Sequence, residues 1–160
     1  MPEGISWQKR LEAQLPLLGH RNWIVVADWA YPWQTAPGVE TIFTGAGQIE
    51  VVKTVLDAID RAPHVRPITY VDAELAFLPN DDAEGIDGYR DDLKAALAGR
   101  AVRELPHDEI IAKLDAAGRA FHILLLKTTL TLPYTSVFLE LDCGYWSAEE
   151  EQRLRKAFKA

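Results

Sequence analysis

Two side chains able to hold or move a proton flank one apolar run near the start of the sequence. His20 follows Gly19 in Leu18-Gly19-His20-Arg21-Asn22, and Asp28 closes the run Trp23-Ile24-Val25-Val26-Ala27. An imidazole has an unperturbed pKa of about 6.5, so a positioned histidine can give or take a proton at neutral pH. A carboxylate at the end of an apolar strand stands where open α/β sheets bind ligands, and its oxygens accept hydroxyl hydrogen bonds. Together they offer half of a site for a small polar substrate. Each also has a plain structural reading, His20 as a surface histidine in a turn and Asp28 as a loop-capping aspartate.

Further chemistry lies later in the chain. His107, in Leu105-Pro106-His107-Asp108-Glu109, falls at a predicted helix N-terminus, where the dipole favours a neutral, hydrogen-bonding ring over the imidazolium. A solvent-exposed first-turn residue is its alternative. The stretch from Lys127 to Ser136 joins two apolar strands and gathers a lysine, hydroxyls, Tyr134 and Thr135, the mixture that binding loops carry, although a polar connection looks the same. Trp29, Tyr31 and Trp33 crowd the segment after Asp28, suited to a sugar face or to the core.

Other patterns fail on their own terms. Gly45-Ala46-Gly47 precedes a helical stretch, but Glu50 stands where a dinucleotide loop has its third glycine, and no glycine-lysine-serine or glycine-lysine-threonine follows. Asn80, Asp82, Glu84, Gly85 and Asp91 approach a calcium loop, yet the first position is not aspartate and Asp87 takes an apolar place. The histidines at 20, 64, 107 and 122 make no helical metal pair, so no metal site is expected.

The elements that must position these groups alternate between strand and helix. Helical spacing runs over 5–18 with Pro16 tightening its end, over Ile49 to Ile59, from about Ile86 to Leu97, and from Pro106 to Gly118. Strands are predicted at 24–27, 39–43, 67–71, 101–105, 121–126 and 137–141. Ser147 with Glu150 forms a capping box for a final helix to Phe158, and Arg155, Lys156 and Lys159 complement its dipole. Such alternation predicts an α/β fold: a single three-layer domain over residues 1–160, with a mixed or mostly parallel sheet and helices on both faces. The continuous apolar run 24–27 fits a central strand.

Composition narrows the function. A chain of 160 residues, 48% hydrophobic, suffices for one sizeable core and argues against two independent domains. Its net charge of -7 would repel phosphate backbones, so nucleic acid is a poor partner. No apolar stretch reaches the length of about 18 residues expected of a membrane span, and Met-Pro-Glu-Gly lacks the order of a signal peptide, so a soluble cytoplasmic protein is expected. Cys143, the single cysteine, reads as a small buried hydrophobe.

Taken together, Leu18-Gly19-His20, Val25-Val26-Ala27-Asp28, Pro32, His107 and Pro133-Tyr134-Thr135-Ser136, in this order, resemble the ribose pyranase and fucose mutarotase family over most of the chain. The resemblance implies a ribose-pyranase-like α/β fold and the interconversion of sugar ring forms without a metal or organic cofactor. It also implies a ring-shaped homo-oligomer, a decamer being the candidate size, with sites near subunit interfaces. By this resemblance His20 is the proton donor, Asp28 a sugar-binding carboxylate, His107 a substrate-binding histidine, and Tyr134 to Ser136 the binding tripeptide. Lys127 stands where the family often has arginine and could polarise a sugar oxygen. Two departures stand out: Ser136 replaces an asparagine, and Thr129-Leu130 replace a glycine-glutamate pair. A serine reaches less far and a leucine removes a carboxylate. The implied function is a monosaccharide mutarotase or pyranase working by metal-free general acid-base catalysis, with a non-catalytic sugar- or polyol-binding module as the alternative and a partner-binding scaffold as a third reading.

Overall fold

The apolar run that follows His20 forms the middle of a sheet. In a computed structural model, which describes residues 4–160, Trp23–Ala27 (β1) is buried along its whole length. Met1 to Glu3, where the stretch read for a leader begins, lie outside the described residues. Val39–Phe43 (β2), Val65–Asp72 (β3), Val102–Leu105 (β4), Ile123–Lys127 (β5) and Val137–Cys143 (β6) complete one six-stranded sheet in the order β2-β5-β1-β6-β3-β4. Trp23 pairs with Ile123 in parallel on one side, and Val26 with Val137 in antiparallel on the other.

Of the six strands only β6 opposes its neighbours, so the sheet is mixed and mostly parallel. Its polarity has a direct consequence for chemistry. The C-terminal ends of β1, β3, β4 and β5 and the start of β6 all meet at one edge, where α/β sheets bind ligands.

Period-two alternation sends the residues of β1 to two cores. Ile24 and Val26 face Trp7–Gln14 (α1), Gln48–Arg61 (α2) and Ile86–Ala96 (α3), which contribute Leu11, Val55, Ile59, Ile86 and Leu93. Trp23, Val25 and Ala27 face His107–Ala117 (α4) through Ile110 and Leu114. A fully buried aliphatic side chain stabilises a fold by about 1.5–3 kcal/mol, so the three-helix face supplies most of the apolar stabilisation. The expected α/β sandwich with helices on both faces is therefore present.

Boundaries moved where local signals competed. The helix read over 5–18 is α1 alone, capped by Ser6 and followed by a tight turn, Leu15–Leu17, into which Pro16 fits. The final helix, Ala148–Lys159 (α5), keeps its capping box, with Ser147 Oγ accepting from Glu150 N–H at 3.0 Å and Glu150 Oε1 from Ser147 N–H at 3.1 Å. None of its residues is buried, so capping and charge rather than packing define it. The loop between β1 and β2 docks at Gly38, where an added Cβ would lie 2.4 Å from the Phe121 carbonyl oxygen.

Candidate functional site

Asp28 leaves the end of β1 and is fixed by the residue preceding β6. Ser136 Oγ donates to Asp28 Oδ1 at 2.9 Å and accepts from the Asp28 backbone N–H at 3.1 Å. Because β1 and β6 are antiparallel neighbours, the end of one abuts the start of the other. Tyr134 reaches the same place on a backbone with φ 57°, a left-handed conformation that costs a bulky residue about 1–2 kcal/mol. Its ring lies edge to face with that of His107, with centroids 5.6 Å apart.

His107 is the first residue of α4, delivered to the edge by β4. Its backbone N–H donates to both carboxylate oxygens of Glu74, at 2.9 and 3.1 Å, so a distant glutamate caps the helix. Its ring Nδ1 lies 2.9 Å from Oδ1 of Asp72, the last residue of β3, which is only 1% exposed. The second oxygen, Oδ2, is buried without a hydrogen-bond partner among the described residues. Burial pushes the Asp72 carboxyl above its ordinary range, the His107 hydrogen bond and charge oppose this, and the negative charges of Glu74 and Asp28 add to it.

Asp28, Tyr31, Gln34, His107 and Tyr134 line one open cavity of about 430 Å³, ample for a monosaccharide. The Tyr31 hydroxyl is buried without a partner among the described residues, and burial, then the charges of Asp115, Asp72 and Asp28, raise its pKa. It therefore remains a protonated donor at neutral pH. The loop from Lys127 to Ser136 is braced from behind: Gln48 Nε2 donates to the carbonyls of Val26 and Thr135, both at 3.0 Å, and Thr128 Oγ1 donates to Gln48 Oε1 at 2.8 Å.

Four residues singled out in the sequence take other places. His20 lies beyond the opposite end of β1; five residues of strand alone span roughly 16 Å, so within one chain it cannot reach the cavity of Asp28. Its side chain, 60% exposed, pairs with Asp142 Oδ1 at 3.0 Å in a separate hollow of about 490 Å³ that also holds Arg66 and Trp146. Desolvation pushes the Asp142 carboxyl up, but the Arg66 hydrogen bond, the Cys143 N–H and the charges of Arg66 and His20 together hold it below its ordinary value.

Thr135 is fully buried, and its hydroxyl donates to the Leu132 carbonyl at 2.6 Å, so it shapes the loop instead of opening on the cavity. Ser136 spends its hydroxyl on Asp28. Lys127 ends β5, and its carbonyl accepts from Thr44 N–H and Oγ1; the residue does not line the cavity.

One site residue escaped the sequence reading, Asp72, and Tyr31 was read only as one of three aromatics suited to a sugar face or to the core. Asp72 repeats the pattern of Asp28, an acid just past an apolar strand, in Ile68-Thr69-Tyr70-Val71-Asp72, and that repetition was the available signal. Tyr31 offered only its place in an aromatic loop.

Solved structures share this architecture. RbsD of Bacillus subtilis, in complex with D-ribose, superposes with a TM-score of 0.58 at 17% identity, covering 89% of this chain and 98% of its own. The fucose mutarotase of Streptococcus pneumoniae in complex with L-fucose gives 0.55 at 18%, over 88% and 97% of the two chains. FucU of Bifidobacterium longum gives 0.53 at 20%, over 84% and 94%. This chain has their fold. No family model matches the sequence, and no curated protein does so either. The resemblance read from the sequence is thus upheld at the level of the fold, and the single mixed sheet is common ground. Among the described residues no helix is long and apolar enough to cross a membrane.

Proposed function

We propose that this protein interconverts the ring or anomeric forms of a monosaccharide, as a mutarotase or pyranase acting by general acid-base catalysis. The observation that carries the reading is the convergence of Asp28, His107 and Tyr134, from three separate elements, on one cavity of sugar size. Opening a cyclic hemiacetal requires one proton removed from the anomeric hydroxyl and one delivered to the ring oxygen. Both steps need only side chains of ordinary acid-base range, and a positioned group contributes about 10²- to 10⁴-fold. No cofactor enters this scheme.

Asp28, held rigid by Ser136, accepts hydrogen bonds from sugar hydroxyls, and Tyr31 and Tyr134 donate to others. His20 serves as proton donor from a neighbouring copy, which requires a homo-oligomer, in this reading a ring, whose interface sets the His20 turn of one copy against the cavity of the next. The turn is built to be presented: Asn22 N–H donates to the Gly19 carbonyl at 3.1 Å, Gly19 N–H to Asn22 Oδ1 at 2.7 Å, and Arg21 takes φ 77°. D-ribose and L-fucose, present in the two neighbouring complexes, are the first sugars to try. The same proposal assigns the protein to carbohydrate metabolism in the cytoplasm.

One observation favours a sugar- or polyol-binding module instead. The Ser136 hydroxyl is used up on Asp28, and Leu130 packs against the core where the family's resemblance calls for a carboxylate. Titrating a panel of monosaccharides by calorimetry while following anomer exchange by saturation-transfer NMR separates the two. Binding with accelerated exchange supports the isomerase; binding with unchanged exchange supports the module, and absence of both leaves a scaffold.

A further inference from the structure

We infer that Asp72 is a positioning residue that fixes His107 in a single tautomer, with the proton on Nδ1 and Nε2 as the acceptor left for a ligand. The inference rests on the proposed isomerase reading only for the identity of that ligand. Four observations carry it. His107 Nδ1 and Asp72 Oδ1 are 2.9 Å apart, Asp72 is buried at the end of β3, and its other oxygen has no partner among the described residues. The fourth is that His107 lines the sugar-sized cavity while no hydrogen bond to its Nε2 exists among the described residues.

A carboxylate is an acceptor only, so an ionised Asp72 must receive a proton from Nδ1, and the neutral imidazole then keeps its lone pair on Nε2. A ring without such a partner would divide between tautomers, and part of the population would present N–H to the cavity. Burying a carboxylate with an orphan oxygen destabilises a fold, which is the pattern of a group retained for its action on a neighbour. The groups that face the pair are Glu74 from the turn after β3, Asp28 from the end of β1, and the Tyr31 and Tyr134 hydroxyls. The charges among these groups are negative, and among the described residues Asp72 Oδ1 is the one hydrogen-bond partner of Nδ1.

In the isomerase reading the consequence is a second proton-transfer group within the chain itself. His107 Nε2 takes the proton of the anomeric hydroxyl, and the freed electron pair becomes the carbonyl bond at the anomeric carbon. The bond from that carbon to the ring oxygen breaks onto the oxygen, which takes a proton from His20 of the neighbouring copy. Ring closure on either face reverses each transfer, so both histidines return to their starting states.

The test reads the tautomer directly, on the sugar-free protein, from the ring-nitrogen chemical shifts and proton couplings of His107 in heteronuclear NMR above the histidine range. The expected result for the native protein is a protonated Nδ1 and a bare Nε2. In Asp72→Asn, an isosteric change, the amide can donate to Nδ1, and the ring is expected to shift toward the Nε2–H form, with kcat reduced by about 10²- to 10⁴-fold and KM changed far less. A native ring carrying its proton on Nε2 would overturn the inference without need of any variant. An unchanged tautomer and kcat in Asp72→Asn would do the same. The expected tautomer together with no sugar exchange by the native protein would instead sink the isomerase reading and leave the action of Asp72 on His107 standing.

Discussion

Ser136 and Asp28 hold one another from the facing ends of two antiparallel strands. The serine hydroxyl donates to the aspartate Oδ1 at 2.9 Å while accepting from the aspartate backbone N–H at 3.1 Å. A short side chain at this position converts a flexible carboxylate into a fixed one. It also binds the strand end to the loop that carries Tyr134, so two sides of the cavity are built from one contact.

Ser136→Ala removes that donor and leaves the carboxylate free to rotate. A hydrogen bond to a charged group contributes about 1.5–3 kcal/mol, so the dissociation constant of a bound sugar should rise about tenfold or more. Calorimetric titration of the native protein and the variant with the same sugar checks it; equal affinities would show that Asp28 is oriented by other means.

Asp72 should make stability depend on pH in a sign opposite to that of most carboxylates. Burial raises its folded-state pKa above the unfolded value, the His107 bond opposing in part. The protonated form is thus favoured in the fold, and that contribution is present at acid pH and lost as pH rises through the folded value. Asp72→Asn is neutral throughout and should gain in melting temperature relative to the native protein as pH is raised from acid to neutral. A difference independent of pH would contradict this.

Asp142 should behave in the opposite way. Its burial is outweighed by Arg66, the Cys143 N–H and His20, and the folded pKa lies below the unfolded one. The stability it confers is present above the unfolded value and lost as pH falls through the folded value. Thermal melts of the native protein and Asp142→Asn should differ most near neutral pH and converge in acid.

The proposal that His20 serves the cavity of a neighbouring copy predicts complementation. His20→Ala and His107→Ala should each lose exchange activity, and a mixture co-refolded from denaturant should recover part of the native rate, because some interfaces then join an intact His20 to an intact His107. A mixture no faster than the sum of its components would contradict the setting of His20 of one copy against the cavity of the next.

Much of this arrangement was legible in the sequence because it rests on local signals. Asp28, His107 and Tyr134 stand at a strand end, a helix start and a polar loop, and the alternation of apolar runs with helical spacing sufficed for the sheet and its layers. What stayed hidden depends on contacts between distant segments. Asp72 and His107 are 35 residues apart and meet only because β3 and β4 are parallel neighbours. His20 and Asp28 are close in sequence, yet an extended strand between them carries them to opposite edges. For Thr135 and Ser136 residue type marked the segment, but the direction of each hydroxyl was set by Leu132 and Asp28, which no periodicity reveals.

The central claim, that the cavity of Asp28, His107 and Tyr134 opens and closes sugar rings, is tested most directly by the rate of exchange between cyclic forms of D-ribose and L-fucose. Saturation-transfer NMR at increasing protein concentration gives that rate. The account predicts acceleration proportional to native protein for at least one of the two sugars, abolished in a folded Asp28→Asn, His107→Ala double variant. Exchange at the uncatalysed rate with both sugars at every native protein concentration, or equal acceleration by the double variant, would contradict it.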